Sequence, residues 1–260
     1  MSNLDYVQIT SGKKIAYKFI NENYIDAPLL LFLHEGLGSI ESWKSFPQEL
    51  SETLCLPALL YDRPGYGNSD NVEKFHYDYL ENEAFHILPE FLDALNINKK
   101  LILFGHSDGG TIALLYAARH PGNVLCTISE AGHIFFEDFC LKGLNELTEK
   151  YETTDMMSKL KKYHKEKTEK LFYNWLGIWQ SEKMKSWNIT GIIEQIKTPV
   201  LVLQGDDDEF GTNKQVYQII DNIKSRYKKF KILEDCGHAP HITAKDEVLK
   251  ISSKFIKKFI

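Results

Sequence analysis

The chain has 260 residues, a formal net charge of −5, 43% hydrophobic and 26% charged residues. That length is enough for one substantial core, and the mild, dispersed acidity argues against an electrostatic footprint for nucleic acid. The four cysteines, Cys55, Cys126, Cys140 and Cys236, have neither paired nor metal-type spacing, which predicts reduced thiols and a cytoplasmic location. No apolar run approaches a membrane span, and the first residues carry no basic stretch ahead of an apolar core.

In chain order, residues 6–10 and 15–20 read as two strands of a hairpin across Ser11-Gly12-Lys13-Lys14. Residues 28–33 form a continuous apolar run, the pattern of a strand covered on both faces. It ends in His34-Glu35-Gly36-Leu37-Gly38-Ser39. Residues 43–54 predict a helix, and residues 58–61 a strand that runs into the turn-rich Asp62-Arg63-Pro64-Gly65-Tyr66-Gly67-Asn68-Ser69. Between 79 and 95, Leu80, Ala84, Ile87, Leu88, Phe91, Leu92 and Leu95 share a helical face that Pro89 should kink or break. Strands follow at 101–104 and 124–129 with a helix between them. Residues 134–195 then show no strand pattern. After them come strands at 199–203 and 229–233 and helices near 213–223 and 244–258. This alternation predicts a mainly parallel sheet with helices on both faces, the α/β class, interrupted by a helical insertion. Function in such a sheet belongs at the carboxyl ends of the strands.

The most informative stretch is Gly105-His106-Ser107-Asp108-Gly109. It lies between the apolar run 101–104 and a helix starting near Thr111, the strand–turn–helix setting of a G-x-S-x-G nucleophile elbow. A serine needs a base to take its proton and an acid to orient that base, in the order serine, acid, histidine. Two later strand ends supply candidates: Asp206, Asp207, Asp208 and Glu209 after one, His238 and His241 after the other.

At this point the chain resembles the α/β-hydrolase family over nearly its full length. The resemblance implies a core of residues 1–133 and 196–260 with a helical cap at 134–195. Its Gly-x-x-Asp turn selects Asp208 as the acid, and its Gly-His pair after the last strand selects His238 as the base. Glu130, at the end of strand 124–129, is the alternative acid. The loop at His34 is similar to the family's His-Gly-x-x-Gly oxyanion loop, so the backbone N–H groups of Gly36 and Asp108 are the expected oxyanion donors, and the Asp108 side chain is expected to have no part. Glu35 departs from the family's glycine. It is expected to turn away and bond a neighbouring loop or Arg63; the alternative is a carboxyl of raised pKa acting on substrate. His106 and the loop 62–69 are expected to be structural.

Substrate-pocket candidates are Glu35, Glu130, His133, Trp175 and Trp179, with Phe135, Phe136, Phe172, Tyr173 and Trp187 as further cap aromatics. The charged run 159–170 reads as a solvated helical face. The implied activity is that of a serine hydrolase of carboxylesterase type. It would act on a small-molecule acyl substrate and need no metal or organic cofactor, nucleic acid or membrane. Thioesterase, lactonase, proline iminopeptidase and carbon–carbon bond hydrolase share the machinery, and a small-ligand sensor is the alternative of another class. Serine at the elbow disfavours dehalogenase or epoxide hydrolase chemistry, for which the family has aspartate there.

Overall fold

The computed structural model describes residues 4–24 and 27–260; residues 1–3, which bear on the expected location, lie outside them. The chain begins with the antiparallel pair β1 (Asp5–Gln8) and β2 (Lys14–Ile20). It continues through β3 (Leu29–Leu33), α1 (Phe46–Leu54) and β4 (Ala58–Tyr61). The expected helix over 79–95 is three pieces: α2 (Tyr79–Asn82), a π-helical turn (Glu83–Ile87) and α3 (Leu88–Ala94). Pro89 has no N–H to give, and the π turn lets the helix restart with proline in its first turn, where none is needed.

Next come β5 (Leu101–His106), α4 (Asp108–Arg119) and β6 (Val124–Glu130). The segment between β6 and the following strand is helical: α5 (Phe139–Thr153), α6 (Met156–His164), α7 (Thr168–Trp179) and α8 (Thr190–Ile193). Its two ends are stitched together where Ile189 N–H donates to the Ile134 carbonyl at 2.8 Å and Phe136 N–H to the Trp187 carbonyl at 3.1 Å. The chain finishes with β7 (Val200–Gly205), α9 (Asn213–Asn222), β8 (Lys228–Leu233), α10 (Pro240–Thr243) and α11 (Lys245–Ile256).

The eight described strands form one sheet in the order β1-β2-β4-β3-β5-β6-β7-β8. β2 meets β4 antiparallel, and every pairing from β4 to β8 is parallel. The central strands alternate cleanly between two cores. Leu29, Leu31, Leu33, Leu101 and Leu103 pack on the side of α4, whereas Leu30, Phe32, Ile102 and Phe104 pack with Trp43, Phe46 and Val248 from α1, α11 and the loop before α1. Each fully buried side chain of this size contributes roughly 1.5–3 kcal/mol. Apolar residues at both parities explain why these strands read as unbroken apolar runs. No helix among the described residues is long and apolar enough to cross a membrane.

Candidate active site

β5 ends at His106 and α4 begins at Asp108, so Ser107 alone makes the turn, at φ 54° and ψ −118°. A non-glycine residue held there is strained, and the strain persists only because the neighbours allow it. A Cβ on Gly105 would lie 2.0 Å from the Gly109 carbonyl oxygen, and one on Gly109 would lie 1.8 Å from that of Leu33. Glycine is therefore required on both sides of Ser107. The Ser107 N–H donates to the Glu130 carbonyl at 2.8 Å, which fixes the turn to the end of β6.

The loops after β7 and β8 bring two further side chains to this point. Ser107 Oγ lies 2.8 Å from His238 Nε2, and His238 Nδ1 donates to Asp208 Oδ1 at 2.8 Å. The same carboxylate oxygen accepts from the N–H groups of Phe210 (2.8 Å) and Gly211 (3.3 Å). Asp208 is buried while Asp206 and Asp207 are exposed, so the expected choice among the three aspartates is the one the fold turns inward. Burial opposes the Asp208 charge, but His238 and these donors outweigh it and hold the carboxyl below its usual range. The Phe210 ring stands edge-on to His238 at 4.7 Å. His106 Nε2 donates to the His238 carbonyl at 2.7 Å, a positioning contact from the residue before Ser107.

Glu130 takes no part in the hydrogen-bonded series Ser107–His238–Asp208. It is fully buried and accepts from His241 Nδ1 at 2.5 Å, and it does not line the cavity described below, so its expected places as alternative acid and as pocket residue are both corrected. His241, three residues beyond His238, is thus a buried partner of Glu130. Donor atoms of His106, Glu130 and His241 lie within 4.8 Å of one another, a metal-like set, but His241 Nδ1 and Glu130 Oε2 already face each other. The cluster reads as a buried hydrogen-bonded pair beneath the strand ends.

Gly36 and Asp108 both border Ser107 in a cavity of about 260 Å³. Asp108 is the first residue of α4, where helix geometry leaves an N–H without an intrahelical carbonyl. Its side chain turns away, but not idly: Asp108 Oδ2 takes Arg63 Nη2 at 3.2 Å and Tyr79 Oη at 2.8 Å, and Tyr79 Oη in turn accepts from Trp179 Nε1 at 2.9 Å. As expected this side chain points away from Ser107 and His238, and what the sequence did not show is the buried network it holds. Arg63 also donates to the Glu35 carbonyl at 2.8 Å, so it is the Glu35 backbone, not its carboxylate, that Arg63 holds. The Glu35 carboxylate takes Ser42 Oγ at 3.3 Å, faces His106 Nδ1 at 3.6 Å and lines the cavity. Burial opposes its charge, yet His106 and His34 hold it below the usual carboxylate range, the reverse of the raised pKa considered for it.

The chain matches the family model described as "Alpha/beta hydrolase family" over residues 30–251. It belongs to the alpha/beta hydrolase family. A 2-succinyl-6-hydroxy-2,4-cyclohexadiene-1-carboxylate synthase of Enterobacter sp. (strain 638) is 30% identical over 57% of this chain, a match that spans 52% of that relative's length. Lipase 1 of Psychrobacter immobilis is 26% identical over 95% of this chain and 82% of its own. Among solved structures, a membrane phospholipase A superposes with a TM-score of 0.78 at 22% identity, covering 99% of this chain and 86% of that one. This last likeness is one of fold.

The segment between β6 and β7 supplies much of the cavity wall in this alpha/beta hydrolase. Trp175 and Trp179 line it as expected, and so does His133, whose Nε2 donates to the Phe210 carbonyl at 3.1 Å. Burial, then the nearby His238, holds the His133 imidazole below its usual value. Of the other aromatics of this segment, Phe172 stacks on Tyr151 at 3.8 Å, Trp187 donates to Glu81 at 2.9 Å, and Tyr173 is exposed; none of them, nor Phe135 or Phe136, lines the cavity. Sequence reasoning missed Leu144, Leu147, Met156, Leu160, Tyr163 and Phe210, which do. A 3.6-residue apolar repeat in α5 and α6 was the one signal for the first four. The run 159–170 is not all solvated face. His164 Nδ1 accepts from Gly67 N–H and its Nε2 donates to the Leu37 carbonyl, both at 2.9 Å. Lys167 Nζ donates to the carbonyls of Tyr66 (2.9 Å) and Ser69 (2.6 Å), and burial pushes it down to about 8.

Proposed function

We propose that this protein is a serine hydrolase cleaving small esters through an acyl-enzyme. The observation that carries the reading is the unbroken chain Ser107–His238–Asp208, with both links at 2.8 Å, opening into a cavity of mainly aliphatic and aromatic lining. Ser107 Oγ attacks the acyl carbonyl carbon, and His238 Nε2 takes the hydroxyl proton as general base. Asp208 holds the imidazole in the tautomer with Nδ1 protonated and stabilises the imidazolium that forms. The N–H groups of Gly36 and Asp108 receive the charge developing on the carbonyl oxygen. His238 then gives its proton to the leaving alcohol. Water, activated by the same imidazole, attacks the acyl-enzyme and releases the acid.

Residues 134–195 serve as the cap. Their closure at Ile134 and Ile189 leaves α8 beyond the stitched base, packed beside α9. A cavity of this size with Leu144, Leu147, Met156 and Leu160 in its wall favours a short apolar acyl group over a polymer. The four free cysteines favour a cytoplasmic setting. The test is labelling by a fluorophosphonate probe together with turnover of p-nitrophenyl acetate and butyrate. Both are expected in the parent protein and lost in Ser107→Ala. A protein that takes no label and turns over neither ester is not a serine hydrolase. Labelling with very slow turnover, alongside tight binding of a small apolar ligand, would favour a sensor instead.

A further inference from the structure

The reaction proposed above leaves one carboxylate in the cavity without a task. Glu35 follows the end of β3 and precedes Gly36, and its side chain sits in a niche made by its own loop and the end of β5. Gly38 provides the space: a Cβ there would lie 2.2 Å from Glu35 Oε2. Ser42 Oγ lies 3.3 Å from that oxygen, its one proton shared with the Ser39 carbonyl at 2.8 Å, and His106 Nδ1 faces it at 3.6 Å. His106 is itself held by its Nε2 bond to the His238 carbonyl. Burial alone would lower the His106 imidazole, but Glu35 and Glu130 raise it to about 9, so Glu35 faces a cation and is ionised.

These contacts anchor the carboxylate through Oε2. The side chain remains 25% exposed and lines the cavity that also holds Ser107, Gly36, Asp108 and His238. An ionised carboxylate held by one oxygen and bordering a largely apolar cavity offers its other oxygen as a strong acceptor next to the reacting centre. We propose that Glu35 Oε1 accepts a hydrogen bond from a hydroxyl of the substrate, so that the preferred substrates are hydroxylated esters. This rests on the hydrolase reading. A hydroxyl suits the niche better than an ammonium. The charge of Glu35 is already answered by His106, and Arg63 Nη2 lies 2.8 Å from the Glu35 carbonyl, so a second cation would meet two positive groups.

The hydroxyl can lie on the acyl or the alcohol side, and two isosteric pairs separate these sources. Ethyl 3-hydroxybutyrate is compared with ethyl 3-methylbutyrate, and 2-hydroxyethyl butyrate with propyl butyrate, each by pH-stat. In the parent protein kcat/KM for at least one hydroxylated ester should exceed its isostere by about ten- to a hundredfold, the effect of a hydrogen bond to a charged group. Glu35→Met should bring that ratio down by a similar factor. Glu35→Gln, an uncharged acceptor of the same size, should leave an intermediate ratio, and it carries the test if the methionine variant does not fold. Comparing ratios between proteins cancels the intrinsic reactivity of each ester. Ratios that are the same in all the proteins, or equal losses on both members of each pair, would overturn the proposal and leave Glu35 as a support for its loop. A parent protein that takes the fluorophosphonate label yet turns over none of the four esters overturns this proposal, whereas one that also takes no label and leaves p-nitrophenyl butyrate intact refutes the hydrolase reading itself.

Discussion

Asp108 offers the sharpest test of how the site is held, because its side chain works away from the chemistry. Asp108→Ala removes the carboxylate from an ion pair whose partners are 1–2% exposed, with Arg63 Nη2 3.2 Å away. Arg63 keeps its bond to the Glu35 carbonyl and its place 4.3 Å over the Tyr66 ring, so the stranded guanidinium is not wholly unpartnered. Breaking a buried pair from one side costs about 3–5 kcal/mol, and the surviving contacts place this case toward the lower end. Against a total stability of roughly 5–15 kcal/mol, that is a large fraction. With a urea slope of about 3 kcal/mol per molar, the unfolding midpoint should fall by about 1 M. Tyr79→Phe removes a donor to the same Oδ2 atom and should cost about 1.5–3 kcal/mol by itself. Because both changes strike one network, the double variant should lose less than their sum. Urea unfolding followed by tryptophan fluorescence measures all three. An Asp108→Ala protein within about 0.5 kcal/mol of the parent would mean the buried pair holds nothing, and the account of this network would fail.

Asp208→Asn should lower kcat for p-nitrophenyl butyrate by about 10⁴-fold with the fold intact by circular dichroism, since the amide favours the wrong His238 tautomer. Glu130→Gln should instead lower Tm with a far smaller loss of turnover, because Glu130 bonds His241 and not His238. A larger activity loss from Glu130→Gln than from Asp208→Asn would exchange their roles. Glu83 is buried, and burial outweighs Arg63 and Tyr61 to raise its carboxyl to about 7. The folded state therefore keeps this proton where the unfolded chain has lost it, and Glu83 takes stability away as pH rises from about 4.5 to about 7. Glu83→Gln should gain on the parent by about 3 kcal/mol between pH 4.5 and pH 8, read by urea unfolding at both; a difference that is flat with pH refutes this. Gly109→Ala should yield an insoluble or unfolded protein, its Cβ 1.8 Å from the Leu33 carbonyl oxygen, whereas Gly122→Ala, with nothing within 4 Å, should be neutral in thermal unfolding.

The strand–turn–helix around Ser107 was readable because its constraint is local. An apolar strand, two glycines that permit a turn at φ 54°, and a helix all lie within about twenty residues. The loops carrying Asp208 and His238 were readable for the same reason, each following an apolar strand directly. What the sequence hid is long-range or rotational. Glu130 and His241 are 111 positions apart, and Arg63 and Asp108 are 45 apart; no local pattern announces either pair. In α7, Phe172, Trp175 and Trp179 fall on one helical face by spacing, so periodicity assigns all three the same surroundings. Only packing separates them, since Phe172 meets Tyr151 on α5 while Trp175 and Trp179 reach the cavity.

Glu35 belongs to both categories: its bond to the neighbouring loop and its place in the cavity wall were expected, and its cationic partner was not. As a departure from glycine it was visible in the sequence, and an unpaired carboxylate beside a developing oxyanion raises an electrostatic objection, since like charges oppose each other. What answers the objection is His106, 71 positions later, whose cation faces Oε2 and whose other nitrogen holds the His238 loop. The negative charge near Ser107 is thereby paired before any substrate arrives. The carboxylate after β3 thus sits among Gly38, Ser42 and His106, which make room for it, lie within hydrogen-bond reach of it and face it with positive charge. A glycine at position 35 would leave all three without that partner, and the cavity would lose its ionised acceptor while Ser107, His238 and Asp208 stayed where they are.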